Sequence, residues 1–139
     1  MNKFWGHLKT ITHHRHLVMR GCFRMGLIWQ GLTHDLSKYS PTEFLAGVRY
    51  YQGDRSPNTA ERKANGYSLA WMHHKGRNRH HFEYWTDLSP KTRTYEPVDM
   101  PVRYLCEMVA DRIAACKTYQ GAAYTDASPL QYLDRANES

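Results

Sequence analysis

The chain has 139 residues, 41% of them hydrophobic, and a formal net charge of +6 with histidines counted as neutral. This length suits one domain that can bury about two-thirds of the surface of its unfolded chain. The positive charge fits an ordinary charged surface, or attraction to a phosphorylated ligand or nucleic acid. No run of five or more basic residues marks a nucleic-acid-binding arm, so charge alone does not separate these classes.

The chain is expected to be cytoplasmic. Lysines, arginines and histidines interrupt the N-terminal segment, which excludes the apolar core of a signal peptide, and no stretch approaches the ~20 apolar residues of a membrane span. Cys22, Cys106 and Cys116 are odd in number and form no CxxC motif, which indicates reduced thiols. No association with a membrane is therefore expected.

Residues 4–29 show helical periodicity. Apolar or histidine side chains recur every three or four positions, which predicts one face of a helix. Gly21, Gly26 and Gly31 each cost about 1 kcal/mol relative to Ala inside a helix, so the segment forms one long helix or two joined helices. The positions on the predicted face are Phe4, His7, Ile11, His14, Val18, Cys22, Met25 and Trp29.

Two Ser-Pro pairs mark the starts of further helices. Ser40 can cap a helix whose first residue is proline, and Glu43 can complete a capping box, which predicts a helix over residues 41–51. The pair at residues 56–57 starts another helix, which runs through the following histidine pair and is interrupted near residues 65–66, Asn-Gly.

The rest of the chain is predicted to alternate between helices and loops. In order, the segments are a turn at 76–78, a short helix over 80–85, an exposed loop over 89–97, a long helix from Pro101 to about Tyr119 that Gly121 ends, and a terminal helix from Ser128. Strand signals are weak everywhere. We therefore expect one all-α domain over residues 1–139, with about five to seven helices and a disordered tail at 135–139.

The adjacent pair His34-Asp35 is the strongest indication of chemistry in the chain. A neutral imidazole and a carboxylate offer a divalent metal one nitrogen and one oxygen ligand from a single backbone site. The ammonium group of Lys38, three residues later in the chain, can form an ion pair with an anion bound to that metal. The pair gains weight because the chain has nine histidines, eight of which fall in three tight groups.

Two further candidates occupy helix faces on which a polar group needs a partner. Asp111 lies on an apolar stripe, where a carboxylate is costly to bury unless it is paired or binds a metal. The alternative is a pair with Lys or Arg at the edge of that stripe. His14 is either a ligand or a hydrogen-bonded core residue. His13 and His16 are expected to face solvent or to support the ligands from behind, and His7 is too far away to share the metal. The other members of the Asp111 stripe are Tyr104, Met108 and Ala115.

Two histidine pairs, at residues 73–74 and 80–81, lie on either side of a predicted turn. Consecutive helical residues differ by about 100° in direction, so one member of each pair faces inward, and the turn would let the inward members converge. At least one metal ligand is therefore expected among them. The alternative is a polar surface, part of a basic groove with Lys75, Arg77 and Arg79.

The order of these residues resembles that of the HD-domain superfamily, which comprises all-α metal-dependent proteins that are mostly phosphohydrolases. Their pattern is an isolated His, a HisAsp pair and a distant Asp, all projecting into a helical core, and a subset adds histidines and holds two metals. Residues 34–38, His-Asp-Leu-Ser-Lys, look like the HDxxK version of that subset. Residues 80–83, His-His-Phe-Glu, look like its HHE element. The resemblance implies a single HD-like helical bundle.

A closer similarity is to a small uncharacterised bacterial family placed near the HD domains. It is carried by HDLSKYSPTEF, AWMHHKGRNRHHFEYW and the late helix bearing Asp111, and it covers most of the chain. The chain departs from the superfamily in two respects. Only 20 positions separate His14 from His34, and Tyr-Trp-Thr-Asp at residues 84–87 replaces the GYP element of cyclic-dinucleotide phosphodiesterases. These departures argue against hydrolysis of cyclic dinucleotides but do not weaken the prediction of metal binding.

The resemblance implies a set of ligands and a mechanism. The first metal would be held by His14, His34, Asp35 and Asp111. Asp35 would bridge to a second metal, held by His74, His80 or His81. The ions would direct a hydroxide against phosphorus, with Asp35 and Lys38 as catalytic residues. Arg77 and Arg79 are candidate substrate contacts, and the alternative is that they are solvated loop cations.

The expected activity is therefore metal-dependent hydrolysis of a phosphoric ester in an anionic small molecule or nucleotide. With two carboxylates against up to four metal charges, the site is expected to be net positive. Iron and manganese suit the ligand set best, ahead of zinc, magnesium, nickel and cobalt. Two alternatives stay open, an HD-like di-iron oxygenase and a non-enzymatic basic module that binds nucleic acid.

Overall fold

A computed structural model describes residues 2–137, which form seven α-helices and one two-stranded hairpin. The helices are α1 (Lys3–Arg24), α2 (Ile28–Thr33), α3 (Pro41–Arg49), α4 (Pro57–Asn65), α5 (Leu69–Lys75), α6 (Val102–Gln120) and α7 (Ser128–Asn137). Short 3₁₀ helices cover Leu36–Tyr39, Phe82–Tyr84 and Gly121–Ala123, and the strands are β1 (Thr86–Leu88) and β2 (Tyr95–Pro97). The predicted all-α class is confirmed for this part of the chain.

The first predicted helical segment is two helices joined at Gly26. This glycine has a φ of +73°, a left-handed conformation that L side chains rarely adopt, and it lies in the turn between α1 and α2. The predicted face of α1 is buried from His7 to Cys22. Met25 and Trp29 are exposed because the helix ends before them and the chain changes direction.

Small residues bring α1 and α6 close together. A Cβ placed at Gly21 would lie 3.2 Å from the Cβ of Ala110, so the two helices approach almost backbone to backbone. The buried core cluster at this interface consists of Val18, Cys22, Ala110 and Ala114, with Leu17 and Leu27 packed against it. This close packing places the middle of α1 opposite the middle of α6, where the polar candidates lie.

The start signals of α3 and α4 have different outcomes. Ser56 accepts a hydrogen bond from the backbone N–H of Asn58 at 3.3 Å, as a capping residue should. Pro41 begins α3 as predicted, but Ser40 makes no capping hydrogen bond. The predicted capping box is wrong because the Glu43 carboxylate contacts histidines of α5 instead of the start of its own helix.

The segment before α6 differs from the prediction. Within the expected loop over 89–97, Tyr95–Pro97 pairs with Thr86–Leu88 as an antiparallel hairpin. Both strands are exposed on both faces, so their sequences lack the alternation of apolar and polar residues that would predict a strand. The expected short helix over 80–85 is one 3₁₀ turn.

The C-terminal helices follow the predicted positions. α6 ends at Gln120, and Gly121 follows with a φ of +54°. α7 continues to Asn137, into the segment expected to be a disordered tail, and residues 138 and 139 lie outside the described part of the chain. Within residues 2–137, no helix combines the length and the apolar character needed to cross a membrane.

His7 and Gly47 provide a test of the packing between α1 and α3. A Cβ added at Gly47 would overlap the imidazole of His7, which is buried against the rings of Phe44 and Tyr51. We expect Gly47→Ala to lower the free energy of unfolding by about 1–3 kcal/mol through overpacking. Chemical denaturation should also show that the cost of Gly47→Ala falls when it is combined with His7→Ala, which removes the ring. Additive costs in this double-mutant cycle would contradict the proposed overlap.

Candidate metal centre

The His34-Asp35 pair lies in a tight turn between α2 and the following 3₁₀ helix. Asp35 has a φ of +54°, a left-handed conformation that Asp tolerates better than most residues. Arg15 of α1 donates hydrogen bonds to the carbonyl oxygens of His34 and Leu32, which fixes the end of α2. Both His34 and Asp35 are 2% exposed, so the turn directs their side chains into the interior.

The first group of potential ligands joins α1, this turn and α6. Its members, each with one ligand atom within 4.8 Å of the others, are His14, His34, Asp35 and Asp111. His14 Nε2 lies 2.8 Å from Asp111 Oδ1, and His34 Nε2 lies 3.3 Å from the same oxygen. His14 and Asp111 thus lie close enough to the pair to bind the same metal, and the contact between them equally fits a hydrogen-bonded core histidine. The alternative partner for Asp111, a lysine or arginine at the edge of its stripe, is replaced by two histidines.

The second group joins the same turn to α5 and the loop that follows it. Its members are Asp35, His74, His80 and His81. His74 Nε2 and His80 Nε2 each lie 3.3 Å from Asp35 Oδ1. The Asn78 amide donates hydrogen bonds to the His74 carbonyl oxygen at 2.8 Å and to Ser37 Oγ at 2.9 Å, which holds the loop against the turn.

Asp35 belongs to both groups and directs a different oxygen to each. Oδ2 lies 3.3 Å from His34 Nε2 in the first group, whereas Oδ1 faces His74 and His80 in the second. Oδ2 forms an ion pair with Lys38 Nζ at 2.6 Å, whereas Oδ1 is buried without a hydrogen-bond partner. His34 Nε2 and His80 Nε2 are also buried without a hydrogen-bond partner. All seven predicted ligands are therefore brought together around one shared carboxylate, and these groups could hold a metal ion.

Glu107 is a buried carboxylate at this centre that was not predicted. Its Oε1 lies 2.8 Å from His34 Nδ1 and 3.2 Å from His80 Nδ1. The prediction missed it because the stripe through Asp111 was drawn one residue off. The buried residues of α6 include Glu107, Ala110 and Ala114, while Tyr104, Met108 and Ala115 are half-buried. The i, i+4 spacing of Glu107 and Asp111 was the available signal, since these positions share a helix face.

Glu43 is the second carboxylate that was missed. Its Oε2 accepts a hydrogen bond from His74 Nδ1 at 2.8 Å, and its Oε1 accepts one from His73 Nδ1 at 2.6 Å. At the start of a helix, Glu is expected to complete a capping box. The sequence therefore indicated this local contact and not the contact with the histidines of α5. Only the packing of α3 against α5 distinguishes the two roles.

Electrostatic interactions and burial shift the pKa values of several side chains in this centre. Burial opposes the ionisation of Asp35, but the charges of His34, Lys38 and His74 hold its pKa well below the usual range. Burial also disfavours the charged form of Lys38, yet the Asp35 carboxylate raises its pKa. By contrast, burial and the neighbouring His80 and His74 lower the pKa of His81 to about 3, so His81 stays neutral, as a metal ligand must.

The remaining predicted residues lie at the edge of the centre or outside it. Arg77 donates a hydrogen bond to the His73 carbonyl oxygen at 3.2 Å, and Arg79 contacts the hydroxyl of Tyr104 at 3.4 Å. Both arginines are exposed. His13 and His16 are also exposed, as predicted, and His7 belongs to no ligand group among the described residues.

The number of carboxylates changes the expected charge of the centre. The sequence indicated two, Asp35 and Asp111, whereas the structure adds Glu43 and Glu107 on the far side of the histidine rings. Four carboxylates would balance the charge of two divalent ions. The positive charge near the centre is then supplied by Lys38, whose side chain is 30% exposed.

Comparison with known proteins finds one family. A sequence family described as a family of unknown function (DUF5662) matches residues 3–138, nearly the whole chain. No curated protein and no solved structure matches the chain.

The affinity for metal should rise with pH because His74 binds a proton in the metal-free protein. Burial alone would lower the pKa of His74, but Asp35 and the hydrogen bond to Glu43 raise it from 6.5 to about 9. A ligand histidine must be neutral, so the proton competes with the metal below that pH. Calorimetric titration with Mn²⁺ should show affinity that increases between pH 6.5 and 9, by up to about tenfold per pH unit for each displaced proton.

The free energy of unfolding of the metal-free protein should instead fall as the pH rises. The contribution from protonated His74 is fully present below pH 6.5 and is lost as the pH rises through about 9. His74→Gln should remove this contribution, whereas His13→Gln, at an exposed position, should not. A Mn²⁺ affinity that does not change between pH 6.5 and 9 would contradict the assignment.

Proposed function

The chain belongs to DUF5662, a family of unknown function, and we propose from its polar centre that it is a metal-dependent phosphohydrolase. The proposed substrate is a phosphorylated small molecule or a nucleotide. The observation that carries the proposal is the shared carboxylate, because Asp35 directs one oxygen to each of two histidine-containing groups and lies beside Lys38. The proposed enzyme class is a hydrolase of phosphoric esters.

The buried atoms fit divalent ions. Burying polar atoms without partners costs free energy, so such atoms usually indicate an unsatisfied ligand position. His34 Nε2, His80 Nε2, His81 Nε2 and Asp35 Oδ1 are buried in this way. One ion would be held by His14, His34, Asp35 and Asp111, and a second by Asp35, His74, His80 and His81. Imidazole and carboxylate ligands together suit iron or manganese.

The residues around the ligands support phosphoryl chemistry. Bound divalent ions would supply a nucleophile at neutral pH and neutralise charge on a phosphoryl group. Asp35 would link the two ligand groups, since each of its oxygens faces one of them. The raised pKa of Lys38 keeps the ammonium charged, and its partial exposure lets it reach a substrate. There it would stabilise the negative charge that develops on phosphoryl oxygens.

The substrate class follows from charge and access. Lys38 is the cation closest to Asp35, and the chain carries a formal net charge of +6, so an anionic substrate is favoured. Arg77 and Arg79 are exposed on the loop that carries the second histidine pair and are secondary candidates for phosphate contacts. Kinship with the HD-domain superfamily stays part of the proposal, supported by the convergence of the same types of ligand.

Metal content tests the centre itself. Asp35→Asn keeps a side chain that tolerates the left-handed backbone. It replaces one carboxylate oxygen with an amide NH₂ group, which is a poor metal ligand. Elemental analysis of protein purified without chelator should find iron or manganese in the parent protein and most of it lost in this variant. Asp54→Asn, at an exposed carboxylate, should keep the metal. A parent protein that is folded and free of metal would overturn the proposal.

Lys38 provides the test of phosphoryl transfer. Lys38→Gln should lower kcat for p-nitrophenyl phosphate or a nucleoside monophosphate by about 10²–10³-fold, as expected for loss of one electrostatic donor, while metal content is retained. Lys63→Gln, an exposed lysine on α4, is the matched control and should leave kcat unchanged. Equal rates for the parent and Lys38→Gln would contradict the assigned role.

Two outcomes would redirect the proposal. Turnover that needs iron and oxygen, with no phosphate released under anaerobic conditions, would favour a di-iron oxygenase. Salt-dependent binding of nucleic acid that survives chelation, and survives Asp35→Ala and Asp111→Ala, would favour a non-enzymatic module.

A further inference from the structure

We infer that Glu107 is a positioning residue that couples the two ligand groups by orienting one histidine in each. His34 belongs to the first group and His80 to the second, and both direct Nδ1 at the same oxygen of Glu107. The inference rests on the proposed dinuclear metal centre. It adds a physical link between the two ion positions other than the shared Asp35.

The contacts define which nitrogen of each ring is free to bind metal. A carboxylate can only accept hydrogen bonds, so His34 Nδ1, which is hydrogen-bonded to Glu107 Oε1, carries a proton, and His80 Nδ1 is placed to carry one at 3.2 Å from the same oxygen. When the rings are neutral, as metal binding requires, the lone pairs of the Nε2 atoms are directed toward Asp35. The two rings lie side by side, with centroids 4.4 Å apart, so a movement of Glu107 would turn both of them.

The other side of Glu107 is fixed by Gln30 of α2. Gln30 Nε2 donates to Glu107 Oε2 at 2.8 Å and to the Arg103 carbonyl oxygen at 3.0 Å. Glu107 is 5% exposed, and its two oxygens face donors from His34, His80 and Gln30. A glutamine at this position would turn an NH₂ group toward one of these donors, so only a carboxylate accepts from all three.

Glu43 is the natural comparison because it contacts one ligand group only. It accepts from His74 Nδ1, and His74 belongs to the second group. Its other partner, His73, belongs to neither group. Loss of the Glu43 charge should therefore weaken one ion, whereas loss of the Glu107 charge should weaken both.

The experiment compares three conservative variants by their binding of Mn²⁺ alone. Calorimetric titration of metal-free protein would give the number of ions and the affinity of each step, with elemental analysis as a check. Glu107→Gln should lower the affinity of both steps by about 10–100-fold, the usual effect of removing a carboxylate that orients a metal-binding histidine. Glu43→Gln should lower the affinity of one step and leave the other within about twofold of the parent protein.

Glu61→Gln controls for the loss of a buried carboxylate as such. Glu61 is also 5% exposed and accepts hydrogen bonds from Ser68 and the Leu69 backbone, but it belongs to none of the ligand groups. It should lower stability without changing either Mn²⁺ step. If Glu107→Gln weakens one step only, or neither, the inference is overturned. A parent protein that binds a single ion would also overturn it while leaving a mononuclear hydrolase intact, and one that binds none would overturn the proposed function itself.

Discussion

The structure depends on the burial of one carboxylate, Asp35, between two sets of histidines. Placing a charged group in the interior costs several kcal/mol unless it is surrounded by compensating charges or a metal. Asp35 obtains that compensation from Lys38 and from histidines contributed by α5, the adjacent turn and the loop after α5. The left-handed backbone at Asp35 is part of the same arrangement, because it turns the side chain inward between short helices.

The helical framework is built to bring these polar groups together. Small side chains at the α1–α6 interface, such as Gly21 and Ala110, let the two helices approach closely, so His14 and Asp111 meet at 2.8 Å. The apolar core at this interface is correspondingly modest in size. Much of the interior is therefore polar, and its stability depends on satisfying buried hydrogen-bonding groups in addition to packing apolar ones.

Behind the histidines of the two groups, carboxylates from two different helices contact the ring nitrogens that face away from Asp35. Glu107 accepts from histidines of both ligand groups, and Glu43 accepts from one. Such partners fix the protonated nitrogen and raise the basicity of the ligand. They also lower the net charge of the centre, so that Lys38 supplies the positive charge beside it.

The sequence by itself determined the helical class and most helix positions, because helical periodicity, Ser-Pro starts and glycine ends are visible in one dimension. The clustered histidines and the HisAsp pair, together with the resemblance to HD domains, also indicated the seven residues that the structure groups as potential ligands. Tertiary structure alone decided the roles of Glu43 and Glu107, because each has an ordinary local explanation, a capping box or a surface position beside a misplaced stripe. Their partners lie 30 and 73 residues away in the chain, and no local pattern records a contact between helices that meet only on folding. The hairpin was hidden for a related reason, since strands exposed on both faces carry no burial pattern.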